Sequence, residues 1–123
     1  MNIHESGENY LEAILMIRNR TGGCRAIDVA RELGFSKPSV SIMMRELREK
    51  GFIQIGESND ISLTKEGLSV AESIYERHEV IAHMLMAIGV PEETAYQDAC
   101  KIEHDLSPIT FEKIKEQLNR SRK

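Results

Sequence analysis

Apolar residues in the first half of the chain recur at the three- and four-residue spacing of amphipathic helices. This pattern predicts helices over residues 6–20 and 26–33, and a third from Lys37 until Gly51 ends it. We expect Ser6 to cap the first helix and Ser36 to cap the third, whose first turn tolerates Pro38. The predicted core-facing stripe of the third helix is formed by Val40, Met43, Met44 and Leu47.

The pattern then changes to short β-prone runs. Residues 52–55 and 61–64 are two such runs joined by turn residues, which predicts a two-stranded hairpin. Helical spacing resumes over 65–88 and 92–106, and a last helix is expected after Ser107-Pro108. The order of elements is typical of a mainly α protein: an N-terminal winged helix-turn-helix over 1–64, with a small two-stranded wing, and a helical domain over 65–123.

Composition narrows the class of protein. The 123 residues suffice for one compact unit or two small subdomains, and no stretch is apolar enough for a membrane span. The first twenty residues lack a secretion signal, and two cysteines cannot form a disulfide scaffold, so we expect a cytoplasmic protein. Aromatic residues make up 5% with no Trp, which leaves little for stacking on single-stranded nucleic acid. The net charge is −4, and residues 66–112 alone carry a net −8, from ten acidic and two basic residues.

The third helix carries a face suited to double-stranded DNA. Opposite its core stripe lie Pro38, Ser41, Ile42, Arg45 and Glu49. Hydroxyls and an Arg can bond phosphates or base edges, and an outward Ile42 suits a thymine methyl group. Ser36, Lys37 and Ser39 at the helix N-terminus are predicted to hold phosphates. The alternative is a helical core without a DNA role, in which a partner buries Ile42; the near-neutral charge of this half is a mild argument for it.

A second set of residues has the spacing of metal ligands. Cys100, Glu103 and His104 fall at i, i+3 and i+4, which places a thiolate, a carboxylate and an imidazole on one helix face. Such a set favours a borderline transition metal over Mg²⁺ or Ca²⁺. The alternative is a buried Cys beside a solvated acidic face. The core stripe predicted for the helix before it includes His78, in the set Leu68, Ala71, Tyr75, His78, Ala82 and Leu85. On the first helix, Asn9 and Glu12 form an i, i+3 pair of oxygen ligands.

Taken together, these motifs resemble the metal-dependent repressors of the diphtheria toxin repressor and manganese transport regulator family. The resemblance extends from about Ser6 to Leu118. It rests on the order and spacing of Ser6-Gly-Glu-Asn-Tyr-Leu-Glu12, Ser36-Lys-Pro-Ser-Val-Ser41, Leu63-Thr-Lys-Glu-Gly67, Arg77-His78, Ile88-Gly-Val-Pro91 and Cys100-Lys-Ile-Glu-His-Asp-Leu-Ser107.

The resemblance implies a homodimer that binds an inverted-repeat operator once loaded with Mn²⁺ or Fe²⁺. The implied second domain is a metal-binding and dimerisation domain, and the sequence stops before the family's SH3-like domain, as the short manganese-type members do. The implied metal ligands are Asn9, Glu12, His78, Cys100, Glu103 and His104.

Three positions depart from the family pattern and leave the metal open. Cys100 is a Cys in the iron-type branch and a Glu in the manganese-type branch. Asn9 matches neither the Met of the first branch nor the Asp of the second. Ala82 and Tyr96 stand where ancillary-site ligands are expected. Mn²⁺ and Fe²⁺ are therefore both candidates, and Co²⁺ or Zn²⁺ are expected to bind in vitro.

Two other functions remain open at this stage. A winged-helix regulator without metal control would bind DNA whether or not a chelator is present. A metal-dependent hydrolase could use His78, Glu103 and His104, but the sequence offers no nucleophile–base pair and no phosphate-binding loop. We therefore expect a regulator and not an enzyme.

Overall fold

The fold is mainly α-helical, with one small sheet, as predicted. A computed structural model describes residues 5–121. Its elements in chain order are α1 (Glu5–Thr21), α2 (Ala26–Leu33), α3 (Lys37–Glu49), β1 (Ile53–Ile55), β2 (Ile61–Leu63), α4 (Lys65–Ala87), α5 (Glu92–Ile102) and α6 (Pro108–Ser121). The chain divides into two compact units within α4, between Glu72 and Ser73. Within residues 5–121, none of these helices has the length and apolar character that a membrane span requires.

The N-terminal unit is a helical core closed by the hairpin. Helices α1, α2 and α3 and both strands contribute fully buried side chains. The largest contributors are Leu11, Ile14, Ile17, Val29, Val40, Leu47, Ile53 and Ile61. Burying this apolar surface fixes α3 against α1 and α2 and leaves its opposite face in solvent.

The hairpin that forms the wing is held to the loop between α1 and α2. Strands β1 and β2 pair antiparallel, with Ile53 opposite Leu63. At the end of the connecting turn, the Asp60 carboxylate accepts hydrogen bonds from Arg18 at 3.0 Å and from the backbone N–H of Cys24 at 3.0 Å. These two bonds lower the pKa of Asp60, so the carboxylate is ionised at neutral pH. The wing is therefore held in position by these contacts of Asp60 as well as by the pairing of its two short strands.

The junction between the wing and α4 depends on a close backbone approach. Thr64 Oγ1 donates to the Gly51 carbonyl at 2.6 Å and accepts the Gly67 N–H at 3.1 Å, which caps α4. A Cβ at position 67 would overlap the carbonyl oxygen of Phe52. Glycine is required there because no side-chain atom fits between the helix and the strand.

The C-terminal unit has a smaller core between α4 and α5. Its fully buried residues are Ile81, Ala82, Ala95 and Ala99, with Leu85, Tyr96 and Leu106 packed around them. The alanines let the two helix backbones approach closely. The spacing of Phe111, Ile114 and Leu118 predicts one inward face of α6, and in the structure Phe111 and Leu118 are buried and Ile114 is half-buried.

Three local expectations are wrong. Helix α1 already includes Glu5, so it begins before the predicted cap at Ser6. The spacing of α2 predicts a buried stripe of Ile27, Ala30 and Leu33, but Ile27 is 41% exposed, and the core lies against Val29 and Ala30 instead. On α4, Leu68 and Tyr75 are also exposed, and the buried face runs through Ala71, Ile74, Ile81 and Ala82.

Helix α5 also ends earlier than predicted. It stops at Ile102, and Glu103 and His104 lie in the turn that follows. The N–H of Asp105 donates to the Ile102 carbonyl at 2.9 Å, which forms a tight turn directly after the helix. Ser107 then caps α6 by accepting the Thr110 N–H at 3.3 Å. A new helix start so close to His104 leaves no room for another turn of α5.

Candidate metal centre and DNA interface

Four predicted metal ligands meet within the C-terminal unit. Helix α4 provides His78, α5 provides Cys100, and the turn after α5 provides Glu103 and His104. His78 Nδ1 lies 3.0 Å from Glu103 Oε2 and 3.6 Å from the Cys100 sulfur. His104 Nε2 lies 3.2 Å from Glu103 Oε1. One thiol, one carboxylate and two imidazoles therefore converge at the carboxylate of Glu103.

The burial of three of these four groups favours a cation among them, whereas Cys100 is exposed. The side chain of Glu103 is fully buried, and those of His78 and His104 are 12% and 3% exposed. Among the described residues, Oε1 of Glu103 accepts no hydrogen bond, because its 3.2 Å contact with His104 Nε2 lacks hydrogen-bond geometry. An ionised carboxylate is costly to bury without compensation. Sulfur, imidazole nitrogen and carboxylate oxygen together are the ligand chemistry of a divalent transition metal, so the residues fit such an ion.

The same contacts change the protonation of His78. Hydrogen bonds to the Cys100 sulfur and to the Glu103 carboxylate raise the pKa of His78 to about 10, against the opposing effect of burial. In the metal-free protein this imidazole is therefore protonated at neutral pH. A proton then occupies the position from which nitrogen would ligate a metal.

Tyr96, one of the departures from the family pattern, lies beside this cluster. Its hydroxyl donates to Glu79 at 2.9 Å and lies 3.4 Å from His83 Nε2. Its ring centroid is 5.3 Å from that of His78. Burial, with the adjacent Glu79 carboxylate, raises the pKa of Tyr96 to about 12. Tyr96 thus remains a neutral donor that links α5 to α4.

Two predicted ligands lie in the N-terminal unit. Asn9 and Glu12 are one turn apart on α1, with Asn9 half-buried and Glu12 buried. The spacing places their side-chain oxygens on the same face of the helix.

The predicted DNA-reading face of α3 is exposed. Ser36 caps the helix by accepting the Ser39 N–H at 3.3 Å, with Pro38 in the first turn. Ile42 is 55% exposed, although it is apolar. The other predicted contact residues are exposed as well: Ser36, Lys37, Pro38, Ser39, Ser41 and Arg45. Val40, Met44 and Leu47 are buried and Met43 half-buried, so the predicted stripe does face the core.

A groove beside this face brings Arg45 together with two basic residues that the sequence pattern did not identify, Arg25 and Arg48. Arg25, Arg45 and Arg48 line it, together with Ser41 of α3 and Asn59 of the wing turn. Arg48 follows Arg45 by three residues on α3, a spacing that could have identified it. Arg25 precedes α2, and its place in the groove depends on tertiary packing. The groove gives the near-neutral N-terminal half a concentrated positive surface.

Comparison with known families covers nearly the whole chain. Residues 2–58 match the family described as "Iron dependent repressor, N-terminal DNA binding domain". Residues 64–123 match "Iron dependent repressor, metal binding and dimerisation domain". The first match contains the recognition helix α3, and the second contains four of the six candidate metal ligands.

Individual relatives agree with the family matches. The transcriptional regulator MntR of Salmonella typhimurium is 35% identical over 105 residues, which cover 85% of this chain and 67% of the relative. An uncharacterised HTH-type transcriptional regulator of Methanocaldococcus jannaschii is 32% identical over 90% of both chains. The solved structure of the manganese regulator SloR has a TM-score of 0.81 at 26% identity, covering 97% of this chain. The chain spans 55% of the SloR chain.

Proposed function

Because the chain belongs to the iron-dependent repressor family of transcriptional regulators, which are not enzymes, we propose that it is a metal-activated repressor. As a homodimer loaded with Mn²⁺ or Fe²⁺, it would bind an inverted-repeat operator and so control the cell's content of that metal. The observation that carries the proposal is the buried Glu103 carboxylate among His78, Cys100 and His104, on a chain that also presents a recognition helix.

The proposed metal ligands are His78, Cys100, Glu103 and His104. Asn9 and Glu12 are proposed as further ligands contributed by α1. This proposal rests on the family resemblance and on their shared helix face. In the metal-free protein the protonated His78 compensates the charge of the Glu103 carboxylate, and a divalent ion would take over that role. Its binding shifts the protein towards the DNA-competent arrangement only by as much as it prefers that arrangement.

Both Mn²⁺ and Fe²⁺ fit the donor set. The family description names iron, and SloR is described as a manganese regulator. A thiolate favours the softer members of the divalent series, whereas carboxylate and amide oxygens suit Mn²⁺. Co²⁺ and Zn²⁺ follow the same ligand preferences and are expected to bind in vitro.

The proposed DNA interface is the exposed face of α3 with the adjoining groove. Ser36, Lys37 and Ser39 would hold phosphates at the helix N-terminus, where unpaired N–H groups favour anions. Pro38, Ser41, Ile42 and Arg45 would face base edges in the major groove. Arg25 and Arg48 add phosphate contacts beside them. A protein that regulates transcription by this interface works where the chromosome is, so we propose a cytoplasmic location.

The proposed dimer explains how weak half-sites combine into a specific site. An inverted repeat presents the same bases to each protomer, and two recognition helices on one duplex multiply their effects. The C-terminal unit exposes apolar side chains suited to pairing with a second copy. Ile88 and Ile109 are 71% and 69% exposed, and Met84 and Ile114 line a groove beside Ile109.

Selection of DNA by the protein itself tests this function without knowledge of the operator. Duplexes with a randomised centre are captured on the Mn²⁺-loaded protein, amplified and sequenced. We expect an inverted repeat to be enriched, and we expect a chelator to release the captured DNA from the protein. Enrichment that is unchanged when the selection is run in chelator would instead support a winged-helix regulator without metal control.

A further inference from the structure

Arg77 makes a set of contacts that the proposed function does not use. It precedes His78 on α4 and is half-buried. Its Nη1 donates to the carbonyl oxygens of Glu103 and Leu106, each at 3.0 Å. Its guanidinium carbon lies 5.2 Å from the centroid of the Phe111 ring, which is buried on α6. One side chain of α4 thus contacts both the end of α5 and the start of α6.

The two carbonyls belong to the turn that carries two proposed ligands. Glu103 is the C-cap of α5, and the last carbonyls of a helix have no partner within the helix. A cation at that end can bond to them and interacts favourably with the helix dipole. Here the bonds hold the backbone on both sides of His104, from Glu103 to Leu106. Bonds from a charged donor are stronger than neutral ones, so the guanidinium determines the path of this turn.

The position of Arg77 next to His78 connects these hydrogen bonds to the proposed metal ligands. Arg77 and His78 are consecutive residues, so one peptide unit fixes the distance between their Cα atoms. The guanidinium in turn fixes the Glu103 backbone, and the Glu103 carboxylate lies 3.0 Å from His78 Nδ1. Arg77 cannot itself ligate a metal, because its guanidinium stays protonated. Its effect on a metal must act through the spacing of His78, Glu103 and His104.

We propose that Arg77 is a positioning residue for the metal site: it holds the Glu103–His104 turn at the distance from His78 that a transition metal needs. This inference rests on the proposed function. Ligand-supporting contacts of this kind are worth roughly 10–100-fold in metal affinity. Lys in place of Arg keeps the charge, but it has a shorter reach and no planar group to lie over Phe111.

The test is a Co²⁺ titration of the chelator-stripped full chain, followed by absorption spectroscopy. Wild type should show a sulfur-to-cobalt band and visible bands that report the coordination geometry. Arg77→Met should raise the dissociation constant of Co²⁺ about 10–100-fold and change the visible bands, with Arg77→Lys in between. Lys115→Met is the matched control. It removes the ion pair of Lys115 with Glu76, 3.2 Å long, between α6 and α4 without touching α5, and should leave affinity and spectrum unchanged.

The outcomes separate the two claims. If the Arg77 variants lose thermal stability but keep the wild-type affinity and visible bands, Arg77 only stabilises the fold. That result would overturn the inference and leave the proposed function intact. If wild type itself binds no Co²⁺ at stoichiometric concentrations, the proposed function fails first and the inference with it. If Arg77→Met does not fold, as judged by circular dichroism, Arg77→Lys carries the comparison, and a wild-type spectrum in that variant overturns the inference.

Discussion

At the scale of single residues, the protonation state of His78 makes metal binding depend on pH. Contacts with the Cys100 sulfur and the Glu103 carboxylate keep its pKa near 10, above the ordinary value of 6.5. A proton on His78 therefore stabilises the metal-free fold below about pH 6.5, and this contribution is lost as the pH rises towards 10. The metal needs the neutral imidazole, so proton and metal compete for the same nitrogen.

Metal binding is accordingly expected to release a proton near neutral pH, and its affinity should rise with pH. Calorimetric titration with Mn²⁺ in two buffers of different ionisation enthalpy measures the number released. Cys100→Ser removes the largest cause of the raised pKa of His78 and also one proposed ligand, so it should reduce both that number and the affinity for Mn²⁺. Binding heats that do not depend on the buffer would contradict this account of His78.

Gly67 is a residue whose identity is fixed by packing alone. Any Cβ there meets the Phe52 carbonyl, so Gly67→Ala must displace the wing or the start of α4. We expect a loss of about 1–3 kcal/mol or more in the free energy of unfolding, as for other overpacked sites. Urea unfolding followed by circular dichroism measures it. Gly56→Ala is the control, because its nearest new contact is an ordinary 3.9 Å and it should be nearly neutral.

At the scale of elements, the sequence predicts the order of helices and strands well and their buried faces less well. The α3 stripe is right because a cap, a proline and a glycine fix its start and end. The α4 stripe is wrong at Leu68 and Tyr75 because a long helix offers several apolar rows, and the packing partners choose among them. No local pattern identifies those partners.

The end of α5 and the basic groove have the same explanation. Helical spacing continues past Ile102, but the guanidinium of Arg77, on another helix, takes the carbonyls of Glu103 and Leu106. Arg25 reaches the groove of Arg45 and Arg48 only through the packing of α2 on α3. The cluster of Cys100, Glu103 and His104 could be predicted because three ligands within five residues remain close in a helix or a turn.

The groove beside α3 contains basic residues that are expected to strengthen DNA binding through phosphate contacts, without discriminating between base sequences. Arg48→Ala should weaken binding of the metal-loaded protein by a similar factor for different duplexes and reduce the salt dependence by about one phosphate contact. Fluorescence anisotropy over a range of salt concentrations measures both effects. Lys50→Ala, at the C-cap of the same helix but not among the groove residues, is the charge-matched control. Equal losses in the two variants would argue against the groove.

At the scale of the whole molecule, the apolar surface of α4 and α6 predicts how the dimer forms. Ile109→Glu places a charge where a second copy is proposed to pack, and should convert the dimer to monomer in analytical ultracentrifugation. Asn119→Glu adds the same charge to an exposed position of α6 outside that groove, and should leave the dimer intact. A stable Ile109→Glu dimer would place the interface elsewhere.

The domain organisation joins these scales. The predicted boundary between residues 64 and 65 stays a prediction, and α4 runs without interruption from the end of the wing to His78 and beyond. One chain thus carries an exposed recognition helix and a cluster of metal ligands around the buried Glu103 carboxylate. The central claim is that the second controls the first through the bound ion.

The most direct test of that claim is the affinity of the chelator-stripped protein for a duplex it has itself selected, measured by fluorescence anisotropy with and without Mn²⁺. We predict that Mn²⁺ tightens binding at least about tenfold, within the usual range of allosteric coupling. Glu103→Gln, which keeps the shape of the side chain and removes its charge, should abolish the Mn²⁺ effect without loss of helix content. The same affinity with and without metal in the wild-type protein would contradict the account.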